Sequence, residues 1–200
     1  MAHHHSFPTC SKAGPTWTGL AAALAATLAL GATAGPASAQ DAQDAQRAGL
    51  LTVTYAQAAL ADAQRDLARA ALSEAEEQVR RGTARFEARI QAGADLAEAE
   101  RRRSLLAFDI EEVTATGAMP RNDLQAPVVN GRDFVKLRIE ANITGAKERL
   151  EAAQRMQAIV ESQVRNNAVP TMTSAAAALG VSSAQAELAM LAEKLRQRPE

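Results

Sequence analysis

Apolar residues recur in steps of three and four along four long stretches of the chain, and polar or turn-forming residues separate those stretches. Residues 48–92 contain no proline, and Val53, Leu60, Leu67, Ala71, Ala75, Val79, Phe86 and Ile90 fall on one side of a helix. The first three are spaced in sevens and the next three steps are fours, the mark of a stutter that straightens a coiled coil. A second stripe joins Leu96, Ala99, Arg103, Leu106, Ile110 and Val113. A third joins Val135, Ile139, Ile143, Ala146, Leu150, Ala153, Val160 and Val164, and a fourth joins Ala177, Val181, Ala184, Leu188, Leu191 and Leu195. The pattern predicts an all-α protein built from elongated antiparallel coiled-coil helical hairpins: two hairpins, about four helices.

The breaks between stripes place the turns. Gly93 can end a helix in the left-handed conformation, and Asp95 and Glu98 have capping-box spacing for the start of the next. The first hairpin is therefore expected over residues 40–116, with its reversal near 92–95 and Arg89 beside it. Gly117, Pro120, Asn122, Asp123, Pro127, Asn130 and Gly131 make residues 117–131 an irregular connector. The second hairpin is expected over 132–200. Its reversal falls near 166–173, where Asn166, Asn167 and Pro170 stop one helix and Thr171 or Thr173 caps the next. Both halves share the plan of long helix, tight turn and shorter helix, a long-period repeat.

Residues 1–39 follow a different logic. Lys12 supplies a positive charge, an apolar run covers residues 20–30, and Ala37-Ser38-Ala39 is a small-residue cleavage site before Gln40. In that order these make a secretory signal peptide. The apolar run is shorter than the ~20 residues that span a bilayer. The processed chain is expected to be exported with no transmembrane segment, to the periplasm of a double-membraned bacterium.

Composition narrows the chemistry. Aromatic residues make up only 3% of the chain, so alanine must fill many helix contacts, and each contact buries little area. Self-association or a partner is the expected remedy. The formal charge is −1; Lys12 is the only one of 22 basic residues before residue 40, and all 23 acidic residues follow it, so the remainder carries −2. A balanced surface argues against nucleic-acid binding, which needs a net basic footprint. The run Arg101-Arg102-Arg103 reads as a solvated helix face pairing with Glu98 and Glu100. The only cysteine is Cys10 and the only histidines are His3, His4 and His5, so the processed chain offers no disulfide, thiolate, imidazole base or imidazole metal ligand. Glu76-Glu77 and Glu111-Glu112 are adjacent pairs whose members point to different faces. No phosphate-binding loop, dinucleotide fingerprint or nucleophile elbow is present. The expectation is a protein that is not an enzyme and holds no cofactor and no metal.

Arg89, Gly93 and the run Asp95-Leu96-Ala97-Glu98-Ala99-Glu100 resemble the helical repeat of TolC-type outer-membrane efflux proteins, in which Arg-x-x-x-Gly ends one helix and an Asp-Leu-x-x-Ala-Glu-like run begins the next. The resemblance covers about residues 84–113 and, more faintly, 155–195. No stretch reads as a membrane β-strand. The resemblance implies a periplasmic helical part without a barrel, associated with the outer membrane and acting by helix-to-helix contact with envelope proteins such as a transporter or adaptor. It makes Arg89, Gly93, Asp95 and Glu98 the expected turn and partner-contact residues. A periplasmic chaperone or stress-sensing helical protein, and a structural spacer, are the alternatives.

Overall fold

The computed structural model describes residues 39–82 and 85–198. Apart from Ala39, the expected signal peptide lies outside the described residues. Four helices follow one another: α1 (Ala39–Arg80), α2 (Phe86–Thr116), α3 (Phe134–Arg165) and α4 (Thr171–Arg196). They pack antiparallel in consecutive pairs, which gives the expected two hairpins. Contacts join α1 to α2, α2 to α3 and α3 to α4, and among the described residues no other pair of helices packs backbone to backbone. The helices thus form an open row, with two helices in the middle and one at each edge.

The first reversal is not where Gly93, Asp95 and Glu98 suggested. Helix α2 runs through all three, and the chain turns between Arg80 and Phe86. Gly82 supplies the left-handed residue at φ 70°, and its amide donates to the Val79 carbonyl at 3.0 Å. The spacing of a capping box is also the spacing of neighbours on a helix surface, and here the second use wins. Asp95 accepts from the Gln91 side chain at 2.9 Å, one turn back, and Glu98 reaches forward to Arg101. Gly93 is an interior helical glycine, a cost of about 1 kcal/mol against alanine that a helix of 31 residues can carry.

The seam of α1 is also displaced. Ala75 of the expected stripe is buried, but the other buried positions are Thr54, Ala58 and Ala61, facing α2, whereas Val53, Leu60 and Leu67 stay exposed at 52%, 61% and 72%. The stripe of larger residues lies about 100° round the helix from the one that packs.

The connector spans residues 117–133. Gly117, at φ 68°, closes α2 by donating to the Val113 carbonyl. Val129 and Arg132 exchange two backbone hydrogen bonds, at 3.0 and 2.9 Å, around Asn130 and Gly131, both at positive φ. This is the two-residue Asn-Gly hairpin turn that glycine and asparagine favour. The Asp133 side chain then caps α3 by accepting from the Lys136 amide at 2.9 Å. Ala126 of the connector joins Val135 and Ile139 in a small apolar core, with Leu124, Ile143 and Leu195 against it.

The second reversal lies between Arg165 and Thr171, as expected. The two hairpins align at an offset of 85 residues: α1 ends at Arg80 and α3 at Arg165, α2 begins at Phe86 and α4 at Thr171. Gln78-Val79-Arg80 recurs as Gln163-Val164-Arg165. Left-handed Gly82 recurs as left-handed Asn167, φ 54°. Buried Thr54, Ala61 and Ala75 correspond to buried Ile139, Ala146 and Val160.

Gly82 and Gly93 of the first hairpin should respond in opposite directions. A Cβ at Gly93 meets nothing within 4 Å, so Gly93→Ala should raise unfolding stability by about 0.5–1 kcal/mol in urea titrations. Gly82→Ala forces a side chain to positive φ and should lower it by about 1 kcal/mol.

Candidate functional site

Helix α2 sits between two neighbours, and its charged residues divide between them. Each arginine of the run at 101–103 spans a helix contact, in place of the expected solvated face. Arg101 donates to Asn142 of α3, Arg102 to Gln64 of α1 at 3.1 Å, and Arg103 to Asp62 of α1 at 2.8 Å. Arg101 also pairs with Glu98, which accepts from Arg149 of α3 at 2.9 Å. Arg149 in turn pairs with Glu187 of α4 at 2.6 Å. One half-buried chain of charges therefore links α2, α3 and α4.

The hydrogen bond from Arg101 holds the Glu98 carboxyl below the usual carboxylate range. Partial burial opposes it, and the charges of Arg101, Arg149 and Arg102 reinforce it. The same hydrogen bond raises Arg101.

A second cluster closes the base of the row. Arg138 is buried; its Nε donates to Asp109 at 2.9 Å, one Nη donates to the Arg121 carbonyl at 3.0 Å, and the other pairs with buried Glu112. The second oxygen of Glu112 accepts from the Arg121 amide at 3.1 Å. Nearby, Arg198 donates to Asp133 at 2.9 Å and to the Leu124 and Ala126 carbonyls. Burial pushes the Asp133 carboxyl up, but the Arg198 hydrogen bond, the Lys136 amide and both positive charges bring it below its ordinary value. Among the described residues every buried side-chain nitrogen or oxygen has a partner. Such satisfied clusters hold helices in place, and the charge chain of Glu98, Arg101, Arg149 and Glu187 also lines a hollow of about 500 Å³.

A shallow trough runs over α2 between α1 and α3, with a volume near 690 Å³. Leu72 of α1, Phe86, Ile90, Gly93 and Ala94 of α2 and Ile159 of α3 are among the residues that line it. Among the described residues no group of three or more His, Cys, Asp or Glu could hold a metal ion.

The four residues picked out by sequence all lie along α2. Arg89 reaches Glu76 of α1 at 3.4 Å, Gly93 lines the trough, Asp95 is exposed, and Glu98 is the hub of the charge chain. The structure joins Glu98 to a network but does not bring the four together at a tip. The tip belongs instead to exposed Arg81, Gly82, Arg85 and Phe86, the last 62% exposed. The signal that marks it is the recurrence of Gln-Val-Arg at offset 85, followed two residues later by the glycine and asparagine that tolerate positive φ.

Compared with known proteins, the chain matches no family model, no curated protein and no solved structure. By length and composition alone α4 is long and apolar enough to cross a membrane, with a mean hydropathy of 1.3 in its most apolar window. In this structure it packs along α3.

Two outcomes follow from the charge clusters. Glu112→Ala takes one of two carboxylate partners from the buried Arg138 guanidinium and should cost about 1–3 kcal/mol in urea unfolding. Lowered carboxyls at Glu98 and Asp133 stabilise the fold above the ordinary carboxylate range, and this contribution disappears as the pH falls through their lower folded values. Thermal melts should therefore shift downward in acid, and Glu98→Gln should flatten part of that dependence.

Proposed function

We propose that this chain is an exported, non-catalytic protein that lays its helices against those of cell-envelope partners, in the manner of the periplasmic part of TolC-like efflux components. The observation that carries the reading is the open row. Helices that pack only against their immediate neighbours leave long surfaces uncovered and project hairpin tips away from the base. The signal-peptide pattern of residues 1–39 supports export. The charged clusters are saturated with partners, which suits scaffolding better than turnover.

The contact surface differs from the one that the resemblance marked. Gly93, Asp95 and Glu98 lie within α2, so the docking tip is the segment around Arg81, Arg85 and Phe86. An exposed aromatic flanked by arginines can anchor on a partner helix hairpin by apolar burial and charge together. The partner would be a transporter or adaptor of the envelope.

The test has two arms. Mass spectrometry of the protein recovered from a double-membraned host should find a chain beginning at Gln40 in the periplasm. Co-purification of an inner-membrane transporter or its adaptor should be lost with Phe86→Ser plus Arg85→Glu, with far-ultraviolet circular dichroism unchanged. An unprocessed cytoplasmic chain, or capture that survives the tip substitutions, would sink the proposal. Suppression of client aggregation without transporter capture would favour the chaperone reading instead.

A further inference from the structure

The 85-residue offset gives the exposed apolar stripes a meaning. On α3, the residues that reach α2 include Arg138, Asn142, Gly145 and Arg149. Ala152, one heptad beyond Gly145, lines the trough against α2. Subtracting the offset gives Val53, Gln57, Leu60, Gln64 and Leu67 of α1. All five are exposed, and three of them form the heptad stripe that α2 leaves uncovered. On α2, Glu87, Glu98 and Arg101 bond to α3, and Ala94 lines the hollow between them. Adding the offset gives Met172, Ser183, Ala186 and Leu179 of α4. All four are exposed, Met172 at 79% and Leu179 at 70%.

Each edge of the row is thus the repeat counterpart of one half of its central contact, and each half lacks its other half within the chain. We propose that the exposed flank of α4 carrying Met172 and Leu179 in one copy docks on the exposed flank of α1 carrying Val53, Leu60 and Leu67 in the next, antiparallel and in the register that α2 and α3 already use. The occupant is a second copy because the two hairpins share helix ends and turn residues at one offset, so that α4 stands to the next copy's α1 as α2 stands to α3. The chemistry of the two faces agrees. Charged Arg138, Arg149, Glu87, Glu98 and Arg101 of the central contact are replaced at the edges by Val53, Gln64, Met172, Ser183 and Ala186. No like charges meet, and a dry apolar strip flanked by glutamines and a serine forms. The contact is head-to-tail, so it joins unlike surfaces and lets copies add in series. This inference is independent of export and of any envelope partner.

Disulfide trapping in the full chain, with Cys10→Ser as background, tests it. Gly145 and Arg101 touch across the central contact, since a Cβ at Gly145 would collide with the Arg101 side chain. Their counterparts are Leu60 and Ala186. Mixing Leu60→Cys chains with Ala186→Cys chains under mild oxidation should give a mixed cross-linked pair. A chain carrying both substitutions should give a ladder of multiples. Each single variant alone should run as one chain on a denaturing gel. Leu67→Glu, at an exposed position, should weaken association in sedimentation about tenfold or more while leaving circular dichroism unchanged. Self-links of Leu60→Cys or Ala186→Cys that form as readily as the mixed link would mean two-fold pairing and overturn the proposal. So would a one-chain mass at every concentration, including a single chain that floats with phosphatidylcholine vesicles through α4. Assembly that persists without the mixed link, or that ignores Leu67→Glu, would place the contact elsewhere and overturn it as well.

Discussion

Alanine at the helix contacts sets the terms for the rest of this fold. Ala58, Ala61 and Ala75 on α1 and Ala146 on α3 are buried where larger residues would hold helices apart. Close approach follows, but a methyl group buries little area, and one alanine stripe fits its partner nearly as well after a slip of one turn. The stripes therefore bring helices together without fixing their register. Arginine supplies what alanine cannot. Arg103 to Asp62, Arg149 to Glu98 and Glu187, and Arg138 to Asp109 and Glu112 each connect one helix to another at a single axial position. Long, planar and multiply donating, the guanidinium spans a gap that short apolar residues leave open.

The division of labour varies along the row. At the base, buried Arg138 and the covered side chain of Arg198 bond to backbone carbonyls of the connector, so the irregular segment is drawn into the core and closes one end. Toward the tips the bridges are exposed pairs such as Arg89 with Glu76, which contribute little individually. The Asn-Gly turn at 130–131 fits the same picture: it redirects the chain in two residues, so Asp133 can cap α3 and receive Arg198 at once.

The fold class and the second reversal were legible because apolar spacing reports helices and because Asn167 and Pro170 interrupt them clearly. The first reversal was not, because Asp95 and Glu98 satisfy two physical rules at the same spacing. A cap needs a helix to begin there, and nothing in the residues themselves says that it does. Gly82 carried the weaker apparent signal, lying inside an unbroken run of helix formers, yet its place two residues after Gln-Val-Arg matches Asn167 in the second hairpin. The α1 seam misled for a related reason. Val53, Leu60 and Leu67 are the largest side chains on that helix face, and periodicity weights size, whereas the hairpin packs its alanines. The links made by Arg101, Arg102 and Arg103 depend on which helices lie on either side of α2, which no local pattern contains.

Nearest-neighbour contact has a further consequence for how such a molecule comes apart. A closed bundle shares one interior, so losing a helix exposes all the others. Here α1 can peel from α2 without touching the contact between α3 and α4, and α4 can leave without disturbing α1. Cohesion is then a sum over three adjoining seams rather than a property of the whole, as in linear repeat arrays, and melting can begin at either flank and stop partway.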